Sequence, residues 1–209
     1  MIDVNFILRE EPKKLRVLVV VDMQIDFVTG SLGTDEAKII VPNVKRKIDK
    51  YYGYRTSKIF YTKDTHHSDY LSTQEGKFLP IEHCIADTRG WDFVDDIREF
   101  AVRDKAEDII EKETFGTTKL CDDIEYLTDT KGKAKLDSIE LCGLCTDICV
   151  ITNALLLKTY FPEIPIYVDP NCCAGTTLEK HLQALSIMDS CHIITRRPDW
   201  QSWEPLENE

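Results

Sequence analysis

A cysteine close to the start of a predicted helix is the first candidate for chemistry in this chain. In residues 141–150 (LCGLCTDICV), a short apolar strand ends at a glycine, and Thr146 is placed to cap the helix that follows. That cap puts Cys149 at about the third helical position. The partial positive charge at a helix start favours an anion, so we expect it to favour a thiolate there. Cys149 is therefore a candidate nucleophile.

Three further ionisable residues stand at the ends of predicted strands. Asp22 closes the first predicted strand, Asp64 the second and Lys112 the third. In an open parallel α/β sheet, ligands bind outside the carboxyl ends of the strands, which share one edge. We therefore expect these three side chains to converge with Cys149 at that edge.

Each of these residues also has an ordinary structural interpretation. A turn aspartate often only caps the backbone, a strand-end lysine is often solvated, and a free cysteine often behaves as a small buried hydrophobe. The combination favours catalysis, because a thiol with a pKa of about 8.5 is a poor nucleophile at neutral pH. It needs a base to take its proton and a cation to hold the charge. Asp22 supplies the base and Lys112 the cation, so Asp22, Lys112 and Cys149 are the predicted catalytic residues.

A second set of residues has the chemistry of a metal site. Asp64 and His66 stand two residues apart at a strand end, and Glu75 and His83 follow in a long irregular stretch, residues 65–90. A loop of that length inside a compact domain is usually functional. Carboxylate and imidazole ligands without thiolate suit one divalent ion, with zinc expected first and manganese, iron or cobalt as alternatives. Asp64, His66 and His83 are the predicted ligands. Glu75 is the candidate for a fourth.

Short apolar runs alternate with segments of helical periodicity along the chain. Continuous β-branched runs are typical of strands buried on both faces of a parallel sheet. Strands are predicted at 15–22, 58–64, 108–112, 137–141, 165–169 and 191–195, and helices at 35–52 (with its main part starting at Pro42), 91–102, 119–127, 147–160 and 177–190. The alternation predicts one α/β domain over residues 1–209, a doubly wound, Rossmann-like sheet of about six parallel strands with helices on both faces. Residues 1–14 and 196–209 are predicted to be peripheral tails.

The charge balance of the 209-residue chain restricts its partners. The formal net charge of −11 at pH 7 disfavours nucleic acid and anionic membrane surfaces, which need a basic face. The first 14 residues are rich in charge and contain no long apolar block of the kind that a secretory signal needs. No apolar run approaches the roughly 20 residues that span a bilayer. We therefore expect a cytoplasmic protein with no nucleic-acid or membrane partner.

The eight cysteines are an even number, which could indicate disulfides. In a cytoplasmic chain of this size, reduced thiols are the expectation instead. Cys142 and Cys145 form a C-x-x-C pair, which could be redox-active or half of a zinc site. No second C-x-x-C accompanies it, so a structural role is favoured for this pair.

Four motifs together resemble one family. VVVDMQIDF (Val19–Phe27), DTH (Asp64–His66), IIEK (Ile109–Lys112) and GLCTDICV (Gly143–Val150) resemble the isochorismatase-like cysteine hydrolases. The likeness is strongest to the nicotinamidases and their amidase relatives, and it extends from about residue 15 to 195. Isochorismatases proper lack the nucleophilic cysteine and the metal ligands, so the presence of both sets here points to the amidase branch.

The resemblance implies an activity and a site. It implies a parallel sheet of six strands, an Asp22–Lys112–Cys149 triad, and a metal on Asp64, His66 and His83, with Glu75 as a ligand in some relatives. It also implies a cis peptide at Leu144–Cys145 and an oxyanion hole formed by the backbone N–H groups of Cys145 and Cys149. Relatives are commonly dimers or higher oligomers, so we expect a homo-oligomer.

The implied reaction is hydrolysis of nicotinamide to nicotinate and ammonia, a step of pyridine nucleotide (NAD) salvage, through a thioester. Two departures from the family pattern affect this expectation. Thr65 stands where many nicotinamidases carry a tryptophan wall, and Phe27 or Phe115 is the candidate replacement. Cys145 stands where a smaller residue is usual. Two alternatives stay open: an amidase acting on another small amide, such as a carbamoyl compound, and a catalytically idle small-molecule-binding protein of the same fold.

Overall fold

Five strands form one parallel sheet in the computed structural model, which describes residues 13–129 and 134–196. The strands are β1 (Lys13–Val21), β2 (Ser57–Asp64), β3 (Ile109–Lys112), β4 (Ala134–Leu144) and β5 (Ile166–Ala174). Their spatial order is β3-β2-β1-β4-β5, and every pairing is parallel. The chain therefore winds outward in both directions from β1. The predicted doubly wound α/β fold is confirmed, and its ligand edge lies where the winding direction changes.

The central strand β1 explains why the sheet is covered on both sides. Residues 17–21 are completely buried, as expected for an apolar run in the middle of a parallel sheet. In the register of the sheet, Val21 pairs with Thr62 on one side and with Gly143 on the other. Asp64 likewise pairs with Lys112. Equal register brings the carboxyl ends of four strands to one level.

Seven helices accompany the sheet in the described ranges. They are α1 (Ile25–Val28), α2 (Asp35–Tyr52), α3 (Gln74–Phe78), α4 (Asp95–Arg103), α5 (Thr118–Asp129), α6 (Ile151–Tyr160) and α7 (Leu178–Ser190). Helix α2 packs with α4, whereas α6 packs with α5 and α7, which gives the sheet two helical layers. Short 3₁₀ turns occur at Tyr70–Ser72, Arg89–Trp91 and Ala106–Asp108. None of the helices in these ranges is both long and apolar enough to cross a bilayer.

The sixth predicted strand, residues 191–195, is reduced to a single bridge. Ile194 N donates to Ile166 O at 2.8 Å and Ile194 O accepts from Val168 N at 3.0 Å, and this pairing does not extend. The reason lies in the end of α7, whose last carbonyls accept hydrogen bonds from the N–H groups of residues 191–193. Those N–H groups are therefore engaged with the helix end and cannot extend the sheet.

The main part of the second helix does not start at Pro42, as the sequence predicted. It starts at Asp35, because Thr34 caps it by accepting a hydrogen bond from Ala37 N at 3.0 Å. Two acidic residues in the first turn, Asp35 and Glu36, stabilise the helix start, because their negative charges lie near the positive end of the helix dipole. Pro42 lies inside the helix, where it removes one backbone hydrogen bond without ending it. The predicted tails fall outside the described residues, apart from residues 13 and 14 in β1 and residue 196.

Candidate active site

The three predicted catalytic residues meet at one buried ammonium. Lys112, the last residue of β3, places Nζ 2.7 Å from Asp22 Oδ2 and 3.5 Å from Cys149 Sγ. The same Nζ lies 3.0 Å from Asp64 Oδ1. All four residues are at least 95% buried. The structure therefore brings together a carboxylate, an ammonium and a sulfur that the sequence holds far apart.

Asp22 follows β1 in a strained backbone conformation. Its φ of 47° lies in the left-handed region, which is uncommon outside glycine, although aspartate tolerates it better than most residues. Its backbone N–H donates to Thr62 O at 3.2 Å, and Thr62 Oγ1 donates to Asp22 Oδ1 at 2.6 Å. Oδ2 accepts no aligned hydrogen bond and faces the ammonium of Lys112. One oxygen is thus fixed and the other is available for proton transfer.

Cys149 lies in a π-helical turn, Thr146–Val150, that precedes α6. Thr146 is not the N-cap that the sequence predicted, and Cys149 is the fourth residue of the turn rather than the third. The hydroxyl of Thr146 pairs with the buried His181 Nδ1 at 2.8 Å, and no side chain caps the start of the turn. The turn begins instead at the backbone carbonyl of Cys145, which accepts hydrogen bonds from Ile148 N at 3.0 Å and from Val150 N at 3.1 Å.

The approach to this turn requires a glycine. Gly143, near the end of β4, has a φ of 118°, and a Cβ there would stand 2.1 Å from Val21 O on the neighbouring strand. Only glycine permits that close contact between the backbones of β1 and β4. The peptide bond Leu144–Cys145 that follows is cis, as the family resemblance implied. Cys145 therefore stands directly between β4 and the turn that holds Cys149.

Burial controls the protonation of the three groups. Burial raises the pKa of the Cys149 thiol well above its usual range, the Asp22 carboxylate adds to this, and the Lys112 ammonium opposes it. Burial also raises the pKa of Asp22 against the opposing charge of Lys112. Burial lowers the pKa of Lys112, but the anions around it outweigh this, so its pKa is well above the usual value. The raised pKa of Cys149 runs against the expectation that the helix start favours a thiolate, and it makes a base near the thiol necessary.

The predicted metal ligands also meet. Asp64, His66 and His83 are buried, and each offers one ligand atom within 4.8 Å of the others; in the described ranges no other group of three such residues does so. Asp64 Oδ2 lies 3.0 Å from His66 Nε2 and 3.6 Å from His83 Nε2. Glu75 Oε1 lies 3.6 Å from His66 Nε2 and 3.9 Å from His83 Nε2. Asp64 thus contacts Lys112 with one oxygen and the histidines with the other.

Two observations show that this cluster fits a metal ion. His66 Nε2 is buried yet has no hydrogen-bond partner in the described chain. His83 Nδ1 lies 2.8 Å from Ile81 O, an acceptor, so Nδ1 carries the proton and Nε2 presents its lone pair. A carboxylate and two imidazoles with a free side are a ligand set of the catalytic zinc type. His67, by contrast, is exposed and lies 3.3 Å from Glu113.

Two side chains that the sequence analysis did not single out hold this region in place. Gln24 Oε1 accepts from Asp64 N at 2.8 Å, and its Nε2 donates to Asp64 O at 2.8 Å and to Trp91 O at 2.9 Å. Asp26 Oδ2 accepts from Cys84 N at 2.8 Å, next to His83. Their spacing after Asp22, at every second residue, is the only sequence signal that could have found them.

A cavity of about 600 Å³ opens beside Cys149. Its wall includes Asp64, Glu75, His83, Cys145 and Cys149 as polar or reactive residues, and both predicted pocket residues, Phe27 and Phe115. Thr65 does not line it: its Oγ1 accepts from Trp91 Nε1 at 2.8 Å. The aromatic residues of the cavity wall are Phe27, Phe78 and Phe115.

The C-x-x-C pair does not form a unit of its own. All eight cysteines are free thiols. Cys142 is completely buried, whereas Cys145 reaches the cavity wall. The two residues therefore have separate surroundings, one in the core and one beside the nucleophile turn.

Comparison with known proteins gives the family. A family model described as an isochorismatase domain matches residues 16–198. The chain belongs to the isochorismatase family. This confirms the resemblance stated from the motifs, with its nicotinamidase-like branch. Membership of this family makes the chain a hydrolase. We found no significant match to a curated protein sequence.

Solved structures with the same fold include three of interest. The pyrazinamidase of Pyrococcus horikoshii in complex with zinc is 26% identical, with a TM-score of 0.67, covering 87% of this chain and 98% of that one. The pyrazinamidase/nicotinamidase of Streptococcus mutans is 22% identical, with a TM-score of 0.71, covering 87% and 99%. The N-carbamoylsarcosine amidase of Thermoplasma acidophilum is 22% identical, with a TM-score of 0.63, covering 88% and 96%. For the last two proteins, at 22% identity, the similarity shows a shared fold and no more.

Proposed function

We propose that this isochorismatase-family hydrolase is a metal-containing cysteine amidohydrolase that converts nicotinamide to nicotinate and ammonia. The observation that carries the proposal is the contact of Lys112 Nζ with both Asp22 Oδ2 and Cys149 Sγ, beside a cavity that Cys149 lines. A nucleophile, a base and a cation within contact distance are the parts that nucleophilic acyl transfer needs. The similarity to a pyrazinamidase supports an amide as the substrate.

The reaction begins with proton transfer from Cys149 Sγ to Asp22 Oδ2, while Lys112 holds the negative charge of the pair. The thiolate attacks the amide carbonyl carbon. Asp22 returns the proton to the nitrogen, ammonia departs and a thioester remains on Cys149. Water, deprotonated by the same carboxylate, then hydrolyses the thioester and restores the thiol. The raised pKa of Asp22 suits this double role, because a more basic carboxylate accepts the proton more readily.

The backbone N–H groups of Cys145 and Cys149 are the proposed oxyanion hole. Cys145 directly follows the cis peptide, and Cys149 lies in the turn that Cys145 begins. Donors of this kind stabilise the tetrahedral oxyanion by about 3 kcal/mol each in other hydrolases. For these two donors to act, the substrate has to bind in the cavity with its carbonyl oxygen facing the N–H groups of Cys145 and Cys149.

Asp64, His66 and His83 are proposed to hold one divalent ion, with Glu75 as a fourth ligand. When bound, the ion would supply a Lewis-acidic contact to the pyridine nitrogen and so orient the ring. Zinc is proposed first, because the ligand set suits it and the similar Pyrococcus horikoshii structure is a zinc complex. Manganese, iron and cobalt are the alternatives. Lys112 contacts Asp64, so the metal ligands and the catalytic residues share one hydrogen-bonded unit.

A second candidate is an amidase for another small amide, such as a carbamoyl compound. Thr65 lies outside the cavity wall and is bonded to Trp91, so no tryptophan stacks there on a ring substrate. The N-carbamoylsarcosine amidase among the similar structures fits this candidate as well. Both candidates use the same catalytic residues and differ only in the body of the substrate.

The deciding experiment measures ammonia release from nicotinamide and from a panel of small amides, with metal analysis of the same preparation. We expect turnover that disappears in Cys149→Ala while the circular dichroism spectrum stays unchanged. Turnover of nicotinamide alone supports the first candidate, and turnover of another amide alone supports the second. Absence of ammonia from every amide, with metal bound, would support the idle binding protein and contradict both.

A further inference from the structure

The segment between β3 and α5 runs from one side of the site to the other. It consists of residues 113–117, which we name the strap, and it begins directly after Lys112. In the order β3-β2-β1-β4, neighbouring strands lie about 4.8 Å apart, so the ends of β3 and β4 are about 14 Å apart. The far end of the strap nevertheless contacts α6, the helix that follows β4. In the order of the strands, the ends of β2 and β1, where Asp64 and Asp22 stand, therefore lie between its two attachments.

One side chain makes the hydrogen bonds between the strap and α6. Asn153, in the first turn of α6, is completely buried. Its Oδ1 accepts from Thr117 N at 3.1 Å, and its Nδ2 donates to Phe115 O at 3.3 Å. The same Nδ2 donates to Cys149 O at 2.8 Å. A single buried amide thus connects the strap to the backbone of the residue that carries the reacting sulfur.

The strap lies close against α6 at Gly116. A Cβ there would stand 2.7 Å from Thr152 Cγ2 and 2.8 Å from Leu156 Cδ1, so the two side chains of α6 leave no room for it. Within the strap, Thr114 Oγ1 donates to Gly116 O at 2.6 Å. Phe115 stands between these two residues, is 46% exposed and lines the cavity. The contact of the strap with α6 therefore decides where the ring of Phe115 stands.

Hydrogen bonds contribute more than burial to the placement of the strap. Each of its residues is exposed or half-buried, so little apolar surface is removed from water there. Glu113 lies 3.3 Å from His67, but both side chains are exposed, and a pair of this kind stabilises little. The bonds to Asn153 are made instead by a completely buried amide. Asn153 is therefore the main polar attachment of the strap to the site.

We propose that Asn153 is a positioning residue that fixes the ring of Phe115 relative to the sulfur of Cys149, and so sets which substrate bodies fit beside the nucleophile. Asn153 lies outside the cavity wall, so it acts through Phe115 and does not touch the substrate. The inference rests on the proposed amidase function and deepens it, because it names a residue that controls the selectivity of the same site.

The substitution Asn153→Thr separates the two contacts of the amide. A threonine in a helix can donate its hydroxyl to the carbonyl four residues earlier, as Thr152 does in this region at 2.6 Å. The variant therefore keeps a donor for Cys149 O and loses both bonds to the strap. Asn43→Thr is the matched control, because Asn43 also lies in a helix and donates to a backbone carbonyl, that of Asn171 at 2.7 Å, outside the cavity wall.

The measurement is the rate at which Cys149 is alkylated by iodoacetamide and by its N-phenyl derivative, followed by mass spectrometry. Both reagents react at the same kind of carbon, so the ratio of the two rates reports the fit of the phenyl ring and cancels changes in folded fraction or thiol reactivity. We expect Asn153→Thr to lower the ratio of phenyl to plain reagent about fivefold, as for the loss of one aromatic contact. Asn43→Thr should keep it within about twofold.

A double-mutant cycle shows whether Asn153 acts through Phe115. We expect Phe115→Ala to lower the ratio to a similar extent, and Asn153→Thr to have no further effect in the Phe115→Ala protein. Gly116→Ala, which pushes the strap away from α6, should lower the ratio as well and replaces Asn153→Thr if that variant does not fold. A ratio that these strap variants leave unchanged, or effects of Asn153→Thr and Phe115→Ala that multiply, would overturn the proposal.

The alkylation ratio needs no turnover, so its outcome is separate from that of the proposed function. Absence of ammonia release would contradict the amidase, whereas the ratio would still support or overturn the role of Asn153. With an amide that is hydrolysed, Asn153→Thr should raise KM about fivefold and keep kcat within about twofold, because Cys149 O keeps its donor. A lower kcat at unchanged KM would overturn the proposal, since it would place the effect on the nucleophile and not on the wall.

Discussion

Two clusters in this fold contain the same kinds of side chain. In the open cluster, Lys112 lies between Asp22 and Asp64 with Cys149 beside it. The second, which we name the sealed cluster, consists of Lys47, Glu140, Asp169, Cys172 and Tyr51. Both are buried, and in both the lysine forms ion pairs with two carboxylates. Only the open cluster reaches the cavity.

The sealed cluster lies beneath α2. Lys47 Nζ pairs with Glu140 and lies 2.5 Å from Asp169 Oδ2. Tyr51 donates to Glu140 Oε2 at 2.8 Å, and Cys172 Sγ lies 3.6 Å from Asp169 Oδ2. Glu140 and Asp169 stand inside β4 and β5, where a helix covers the sheet. The open cluster stands at strand ends. Position along the strand, more than the residue types, therefore separates an accessible site from a structural one.

The largest contrast should appear when the two cysteines are removed. We expect Cys149→Ala to lower amide turnover at least about a thousandfold, because the nucleophile is lost. Cys172→Ala should keep activity within about twofold, because Cys172 lies outside the cavity, where its thiol contacts Asp169. Ammonia release at saturating substrate measures both. Equal losses in the two variants would remove the distinction between the clusters.

Lysine removal should separate stability from activity. Lys47→Met leaves Glu140 and Asp169 buried without a cation, so we expect it to lower the free energy of unfolding by about 3–5 kcal/mol. Lys112→Met also leaves two buried carboxylates, Asp22 and Asp64, without their cation and should lower the free energy of unfolding as well. Unlike Lys47→Met, it should in addition lower turnover at least about a hundredfold in the protein that is folded, since the thiolate loses its counter-charge. Urea denaturation and steady-state kinetics measure the two effects. A stable Lys47→Met protein would show that the sealed cluster contributes little.

Metal content distinguishes the clusters further. We expect His83→Ala to lower metal affinity by at least about tenfold, because one of the proposed protein ligands is lost. His67→Ala is the matched control, since His67 is an adjacent but exposed imidazole that pairs with Glu113. Elemental analysis after dialysis gives the metal per chain. Similar metal content in the two variants would place the metal elsewhere.

The smallest effect concerns alkaline pH. Burial, together with Glu140, raises the pKa of Tyr51 above its ordinary value of 10.0. The unfolded chain then releases this proton at a lower pH than the folded chain, so the stabilisation is complete below about pH 10 and falls as pH rises. Above that pH, Tyr51 makes the free energy of unfolding fall by about 1.4 kcal/mol for each pH unit. In Tyr51→Phe this part of the pH dependence should be missing when stability is measured by urea titration between pH 9.5 and about 11. An unchanged slope would contradict the assigned coupling.

The open cluster could be predicted from sequence because its information is local. Apolar runs end at Asp22, Asp64 and Lys112, and parallel strands bring their ends to one edge. The cap assigned to Thr146 was wrong, because Thr146 is the first residue of the turn and its hydroxyl contacts a distant residue, His181. A local rule cannot account for such a contact.

The sealed cluster could not be predicted in the same way. Lys47 is in a helix, where a lysine is usually solvated, and its carboxylate partners are about 90 or more residues away in two strands. Gln24 was missed for a similar reason, because its partners are the backbone of Asp64 and Trp91. Pairings of this kind depend on tertiary packing, which composition and periodicity do not encode.

Alkylation of single cysteines by iodoacetamide, followed by mass spectrometry, tests the central claim most directly. It needs no knowledge of the substrate, because the reagent enters the cavity and reacts with an activated thiol. We predict that Cys149 reacts at least about tenfold faster than Cys172, and that Lys112→Met slows Cys149 by at least about tenfold, because the ammonium that favours its thiolate is lost. A Cys149 rate no greater than that of Cys172, or one unaffected by Lys112→Met, would contradict the account.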